Sequence, residues 1–333
     1  MTSLRSIGPL AGAAALALFA LVGHAGAPTG NKAPATVKSA GKEWKLVWND
    51  EFDGTEIDSA KWGFDIGNGF YAPDGKTFVG GWGNNELEFY TDSKRNAFVK
   101  DGLLHIKAIK EDHDRYRYTS ARMKTQKSDK SPLFNHAYGR FEFRAKLPVG
   151  KGVWPAIWML PQDNKYGGWA ASGEIDILEV RGQKPSEILG TLHYGGGWPT
   201  NTHTGETFTL PGGGTSADFH NYALEWEPGQ MRWYFDDHCY ETQKFWWSTS
   251  KRDGDKGAKP ASEADLNPWP APFDHPYYIL LNVAVGGQFL GNPDPKTAFP
   301  VEMLIDYVRV YDKVGGYGPT PMRGEGKLPF AKK

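Results

Sequence analysis

The run Gly173-Glu174-Ile175-Asp176-Ile177-Leu178-Glu179-Val180 places three carboxylates in six residues, inside a segment that otherwise reads as a buried strand. An unpaired buried charge costs several kcal/mol or shifts its pKa until it is neutral, so a core strand does not collect acids without a use for them. Side chains alternate along a strand, which puts Glu174 and Asp176 on one face and Ile175 and Ile177 on the other. Glu179 has the wrong parity. A one-residue bulge at Ile177-Leu178 restores it, because a bulge shifts the pleat by one residue and re-aims the side chains beyond it. Two glutamates four effective steps apart have Cα atoms roughly 13 Å apart, a gap that long side chains leaning together on a concave sheet can largely close. Two carboxyls roughly 5–5.5 Å apart suit retaining glycoside hydrolysis, in which one attacks and the other serves as acid and then base. The aspartate between them can raise the acid's pKa or share a proton with the nucleophile.

Such chemistry needs a surface that holds sugar. In Gly152-Val153-Trp154-Pro155-Ala156-Ile157-Trp158-Met159-Leu160, Trp154 and Trp158 share parity, and Ile157 and Met159 share the other. Flat aromatics bury the apolar faces of sugar rings while the rim hydroxyls seek hydrogen bonds. The loop Gly80-Gly81-Trp82-Gly83-Asn84-Asn85-Glu86 offers amides for those hydroxyls, or is an ordinary glycine-rich turn. His193, in Thr191-Leu192-His193-Tyr194, follows the acidic strand by one connection and can bond substrate or acids, or be structural. Glu142 and Arg144 share a face of their own strand, as binding groups or as a surface ion pair.

Composition sets the frame. The chain has 333 residues, net charge −1, 13 Trp, 41 Gly and 23 Pro. Near-neutral charge gives no signal for nucleic acid or an anionic membrane, and many aromatics and turn formers favour an all-β protein of short strands. No phosphate loop, nucleophile elbow, His-Glu-x-x-His or paired-cysteine motif is present. Cys239 is the one cysteine, so no intrachain disulfide forms, and it is expected to be a small buried residue.

The sequence divides into four parts. Residues 1–27 read as a secretory signal, with Arg5, an apolar run from Leu10 to Val22 and a small-x-small site at Ala25-Gly26-Ala27. Residues 28–42 read as a flexible leader, 43–313 as one β-sandwich domain and 314–333 as a tail. Alternating or apolar strands are expected at Trp44–Trp48, Leu103–Ala108, Arg140–Leu147, Tyr222–Trp226, Met231–Phe235, Tyr277–Val285 and Met303–Tyr311. Ser248 to Pro272 is charged and Pro-rich, and reads as a surface insertion.

The acidic octet resembles the Glu-x-Asp-x-x-Glu signature of glycoside hydrolase family 16 in its bulged form, and the likeness runs from Trp44 to Tyr311. Asp50-Glu51-Phe52-Asp53-Gly54, Gly81-Trp82-Gly83-Asn84-Asn85-Glu86-Leu87, Leu192-His193-Tyr194-Gly195, Asn282-Val283-Ala284-Val285-Gly286-Gly287 and Phe299-Pro300 resemble the endo-β-1,3-glucanase (laminarinase) branch. The resemblance implies a concanavalin-like jelly-roll β-sandwich of two antiparallel sheets with a concave substrate cleft. It implies Glu174 as nucleophile, Glu179 as general acid/base and Asp176 as the nucleophile's aid. It implies Trp154, Trp158, Asn85, Arg144, His193, Glu142 and Gln288 as the substrate-binding set. No cofactor is needed for the chemistry, but a structural calcium is implied at the carbonyls near Glu51 and Gly102 and the side chain of Asp306. The expected partner is a polysaccharide, a β-glucan, met outside the membrane by a secreted monomer, extracellular or periplasmic. Mixed-linkage glucan, agarose or carrageenan as substrate, transglycosylation, and glucan binding without catalysis are the competing expectations.

Overall fold

The computed structural model describes residues 32–72, 74–251 and 259–330. The expected signal segment lies outside them. Two stacked sheets form a jelly-roll sandwich. The larger is eleven-stranded, in the order β18 (His238–Gln243), β17 (Gln230–Phe235), β16 (His220–Glu227), β11 (Gly139–Lys146), β20 (Val301–Lys313), β8 (Leu103–His113), β9 (Tyr116–Ser120) and β6 (Glu88–Tyr90). It also takes in β2 (Lys42–Asp50) beside β20, β1 (Thr36–Ser39) beside β2 and β7 (Ala97–Lys100) beside β8. The smaller sheet has seven strands: β15 (Thr202–Thr209), β14 (Glu187–Tyr194), β13 (Glu174–Glu179), β12 (Val153–Pro161), β19 (Tyr277–Val285), β10 (Arg122–Lys124) and β3 (Gly63–Asp65). A separate two-stranded ribbon pairs β4 (Gly69–Tyr71) with β5 (Phe78–Gly80). Pairing is antiparallel except between β6 and β9.

The core follows the period-2 pattern. Phe141, Phe143 and Ala145 of β11 point inward and pack in one cluster with Ile157 and Met159 of β12, Ile175 and Ile177 of β13 and Ile279, Leu281 and Val283 of β19. Each alternate residue then faces away from the core. On the seven-stranded sheet that outer face carries Glu174, Asp176, Trp154 and Trp158.

The strand carrying the acids is bulged where the parity argument requires it. Against β14, Asp176 pairs with Thr191 and Glu179 with Leu189, so two residues of β13, Ile177 and Leu178, oppose Gly190 alone. The same shift appears against β12, where Ile157 pairs with Leu178 and Trp158 with Asp176. A bulge disrupts the ladder and leaves backbone groups in need of partners. Trp233, reaching across the core from β17, donates its indole N–H to the Asp176 carbonyl at 2.9 Å. Gly190 makes room for it: a Cβ there would lie 2.6 Å from the Trp233 ring.

Three expectations about the periphery change. The leader contains a strand, since Thr36–Ser39 pairs with Lys42–Lys45 around the turn at Ala40 and Gly41. The expected tail is seated on the domain. Pro321 accepts a hydrogen bond from the Trp269 indole at 2.8 Å, Gly324 N–H bonds the Lys244 carbonyl at 2.7 Å, and Leu328 packs against the core. Cys239 is exposed rather than buried, because β18 is the edge of its sheet. The Ser248–Pro272 segment is anchored at both ends, with Ser248, Thr249 and Ala271 buried.

Gly190→Ala is expected to lower stability by about 1–3 kcal/mol, the usual range for overpacking, as measured by urea unfolding. An unchanged midpoint would show that Trp233 does not need the space at Gly190.

Candidate active site

Glu174, Asp176 and Glu179 share the outer face of β13, and each glutamate is held by one indole. Trp169, in the loop before β13, donates to Glu174 Oε2 at 2.6 Å. Trp154, on neighbouring β12, donates to Glu179 Oε1 at 2.9 Å. His193 pairs in register with Glu174 on β14. Its Nε2 lies 3.2 Å from Asp176 Oδ2 and 3.7 Å from Glu174 Oε1. The Asp176 contact is close enough for an ion pair but is not aligned as a hydrogen bond. The histidine ring also lies against Trp169, with centroids 5.6 Å apart.

The electrostatics follow from packing charges together out of water. Burial, then the Asp176 charge, raises the Glu174 pKa to about 7. The same two causes, in the same order, raise Glu179 to about 8. Burial alone would lower His193, but the three surrounding carboxylates outweigh it and raise its pKa to about 10. The site therefore holds a cationic imidazole at neutral pH, beside two glutamates whose proton affinities are both raised. Ligand atoms of Glu174, Asp176 and His193 lie within 4.8 Å of one another, close enough to share a metal ion. A protonated imidazole has no lone pair for one.

The tryptophans do two jobs. The Trp154 ring lies tilted against Phe289, with centroids 4.9 Å apart, while its indole holds Glu179. Trp158 donates to Asn282 Oδ1 on β19 at 2.7 Å. The Arg122 guanidinium of β10 lies over two rings, 4.7 Å from Trp158 and 4.3 Å from Trp82. Asp65 holds that guanidinium at 3.0 Å. Asn85 and Gln288 line a shallow depression with Leu87 and Asn292, at the end of the sheet where Phe289 meets Trp154. Asn85 is held in the left-handed region at φ 60°.

Arg144 and Glu142 are not part of this face. Both lie on β11 of the other sheet, and they point away from the core that Phe141 and Phe143 fill. Arg144 Nη1 bonds Asp306 Oδ2 at 2.7 Å, and Glu142 pairs with Arg140 at 2.7 Å and accepts from the Tyr307 hydroxyl at 3.1 Å. Strand alternation shows that two residues share a face, but not which sheet owns the strand. Sequence reasoning also missed Trp169, Arg122 and Asn282. Trp169 sits in an irregular loop and Arg122 in a three-residue strand, where no periodicity marks them. Asn282 is legible as the one polar residue in the apolar run Tyr277–Val285 apart from its terminal tyrosines.

The residues implied for calcium converge in topology. β20 pairs with β8 up to Ile305 and with β2 from Val308, so Asp306 sits where the chain ends at Glu51 and Gly102 come together. Oxygen donors of this kind suit calcium. The Asp306 carboxylate also faces the Arg144 guanidinium, and the Glu51 carboxylate bonds Arg309 at 2.6 Å, which leaves the Glu51 contribution to its carbonyl.

A jelly-roll whose open face sets two indole-bound glutamates around an aspartate, beside tryptophan platforms, belongs to the class of glycoside hydrolases. The family model for glycosyl hydrolases family 16 matches residues 84–251, and the chain belongs to that family. It is 44% identical to glucan endo-1,3-beta-glucosidase A1 of Niallia circulans, across 80% of this chain but 37% of that longer protein. It is 41% identical to the glucan endo-1,3-beta-glucosidase of Cryptopygus antarcticus, covering 78% of this chain and 91% of that one. Its fold is similar to the catalytic domain of an endo-1,3-beta-glucanase (laminarinase) from Thermotoga petrophila RKU-1, with a TM-score of 0.66, 41% identity and 82% and 99% of the two chains covered.

The His193 cation lowers the pKa of both glutamates. Replacing it by His193→Asn is therefore expected to move both limbs of the kcat/KM–pH profile to higher pH. A profile that stays in place would show that the imidazole carries no charge in the working site.

Proposed function

We propose that this chain is a secreted, retaining endo-β-1,3-glucanase. The observation that carries the mechanism is the pair of indole-bound glutamates on one bulged strand, with Asp176 between them. Glu179 donates a proton to the glycosidic oxygen as the bond breaks. Glu174, as the carboxylate, attacks the anomeric carbon and forms a glycosyl ester. Glu179, now a carboxylate, takes a proton from water, which displaces the sugar from Glu174. Asp176 and His193 are charges of opposite sign beside the nucleophile and set when it ionises. Trp158, Arg122 and Asn282 form a platform with a hydrogen-bonding edge, suited to a neutral sugar chain. The β-1,3-glucan substrate rests on what the relatives are named for. Secretion rests on the Leu10–Val22 apolar run and Ala25-Gly26-Ala27, and an exported protein whose N-terminus begins at Pro28 is the expected product.

The test is reducing-end release from laminarin beside lichenan, agarose and carboxymethyl cellulose, with sizing of the products and NMR of the first anomer formed. Mixed oligosaccharides from laminarin, appearing first as the β-anomer, are expected. Activity on another polymer alone would move the substrate, and a first α-anomer would reject the retaining mechanism. Glu174→Gln and Glu179→Gln are each expected to lower kcat by about 10²–10⁴-fold or more while glucan binding is kept. Wild-type turnover in either variant would remove that residue from the chemistry.

A structural calcium is proposed where β2, β8 and β20 meet, held by the Glu51 and Gly102 carbonyls and the Asp306 carboxylate. It would tie three strands of the larger sheet and take no part in catalysis. Millimolar calcium is expected to raise the melting temperature of chelator-treated protein, and Asp306→Ala to abolish that rise. No response to calcium would reject the site.

A further inference from the structure

The ribbon of β4 and β5 belongs to neither sheet, yet it carries three of the exposed large apolar side chains. Phe70, Tyr71 and Phe78 are 42%, 66% and 47% exposed. Tyr71 and Phe78 are directly opposed across the ribbon, and their rings meet edge to face at 5.4 Å. Directly opposed aromatics stabilise a two-stranded ribbon, but burial is what normally makes aromatics worth placing there, and these are left in water. Gly69 keeps this face low. A Cβ at that position would lie 2.9 Å from the Phe78 ring.

Phe70 points to the opposite face and connects the ribbon to the active site. Its ring lies 6.3 Å from Trp82. The Arg122 guanidinium lies over the rings of both Trp82 and Trp158. Trp158 pairs in register with Asp176 of the acidic strand. An unbroken series of flat groups thus leads from the acids, across β12, β19 and β10, to the ribbon beyond. The ribbon is firmly set. At its tip Asp74 accepts from Lys76 N–H at 2.8 Å and from Thr77 N–H at 2.9 Å. At its base the Asn68 amide bonds the Glu86 carbonyl at 3.1 Å, and the Gly81 N–H bonds the Asn68 carbonyl at 2.7 Å.

We propose that this ribbon is a distal platform of the cleft, where Phe70, on the face toward Trp82, binds a sugar unit of the polysaccharide remote from the bond that breaks. The inference deepens the glucanase reading and rests on it. A long neutral chain lying over Trp158 leaves the sheet at one end, and the β10–β3 end is where the ribbon stands. A half-exposed aromatic ring such as Phe70 matches the apolar face of a sugar ring. Remote contacts of this kind favour long substrates over short ones and leave the bond-breaking groups untouched.

The test compares Phe70→Ala and Phe70→Leu with wild type on laminarin and on laminaritriose, after thermal unfolding has shown equal midpoints, with Tyr71→Ala on the other face as the control. Phe70→Leu keeps most of the apolar volume beside Trp82, so it keeps the test open if Phe70→Ala folds poorly. In the Phe70 variants KM for laminarin is expected to rise about 3- to 10-fold, with kcat/KM on the trisaccharide within about twofold, and Tyr71→Ala is expected to match wild type on both. No change on the polymer, or an equal loss on both substrates, would overturn the proposal. If wild type cleaves a different polymer from the panel, that polymer and its trisaccharide replace the pair. The β-1,3 assignment and the platform then fail separately.

Discussion

Two glutamates and an aspartate are held on one strand largely out of water, and most of the local architecture exists to make that tolerable. Desolvation and mutual repulsion push the glutamate pKa values up, and a free choice of conformation would let the side chains separate. The protein prevents this with donors of fixed geometry. An indole holds each glutamate, and the His193 cation offsets the charge of Asp176. Neutral donors favour the ionised forms without removing the proton that one of them needs. The outcome is two glutamates whose proton affinities are both raised by burial and by the charge of Asp176, with a cation and two indoles drawing them back toward the ionised form.

The bulge has the same importance at the level of the backbone. Without the extra residue at Ile177-Leu178, Glu179 would point into the core and Leu178 into the cleft. The irregularity exposes a carbonyl to the sandwich interior, and Trp233 of the opposite sheet satisfies it over the gap left by Gly190. The larger sheet is therefore more than a backing layer, since one of its side chains satisfies a carbonyl of the acidic strand at its bulge. Its own outer face is held by unrelated ion pairs, Arg144 with Asp306 and Arg309 with Glu51, which brace β20 against its neighbours.

Much of this was legible in the residues. The parity of Glu174, Asp176 and Glu179 demanded a bulge, and one at Ile177-Leu178 met the demand. Trp154 and Trp158 announced their face because Ile157 and Met159 occupied the other, and the all-β sandwich followed from short alternating runs. What was hidden depended on contacts distant in sequence. Arg144 and Glu142 show the same alternation as cleft residues, and only the pairing of β11 with β16 and β20 reveals that they lie on the far sheet. Trp169 approaches Glu174 from an irregular loop, and Arg122 acquires its place from Trp82, Trp158 and Asp65, none of them its neighbours in sequence. The segment Thr36–Ser39 looked unpatterned because an edge strand of four residues needs no apolar face. The C-terminal residues looked free because their anchors, the Trp269 indole, the Lys244 carbonyl and the core beneath Leu328, are distant in sequence.

The central claim is that Glu174 forms the covalent bond to sugar and Glu179 manages the protons. The most direct measurement is to trap the intermediate with a 2-deoxy-2-fluoro β-glucosyl-type inactivator carried on a β-1,3-linked disaccharide, and to locate the adduct by peptide mass spectrometry. The account predicts a single glycosyl adduct on Glu174 in the peptide containing Gly173 to Val180. An adduct on Glu179, or turnover of the reagent without any adduct, would contradict it.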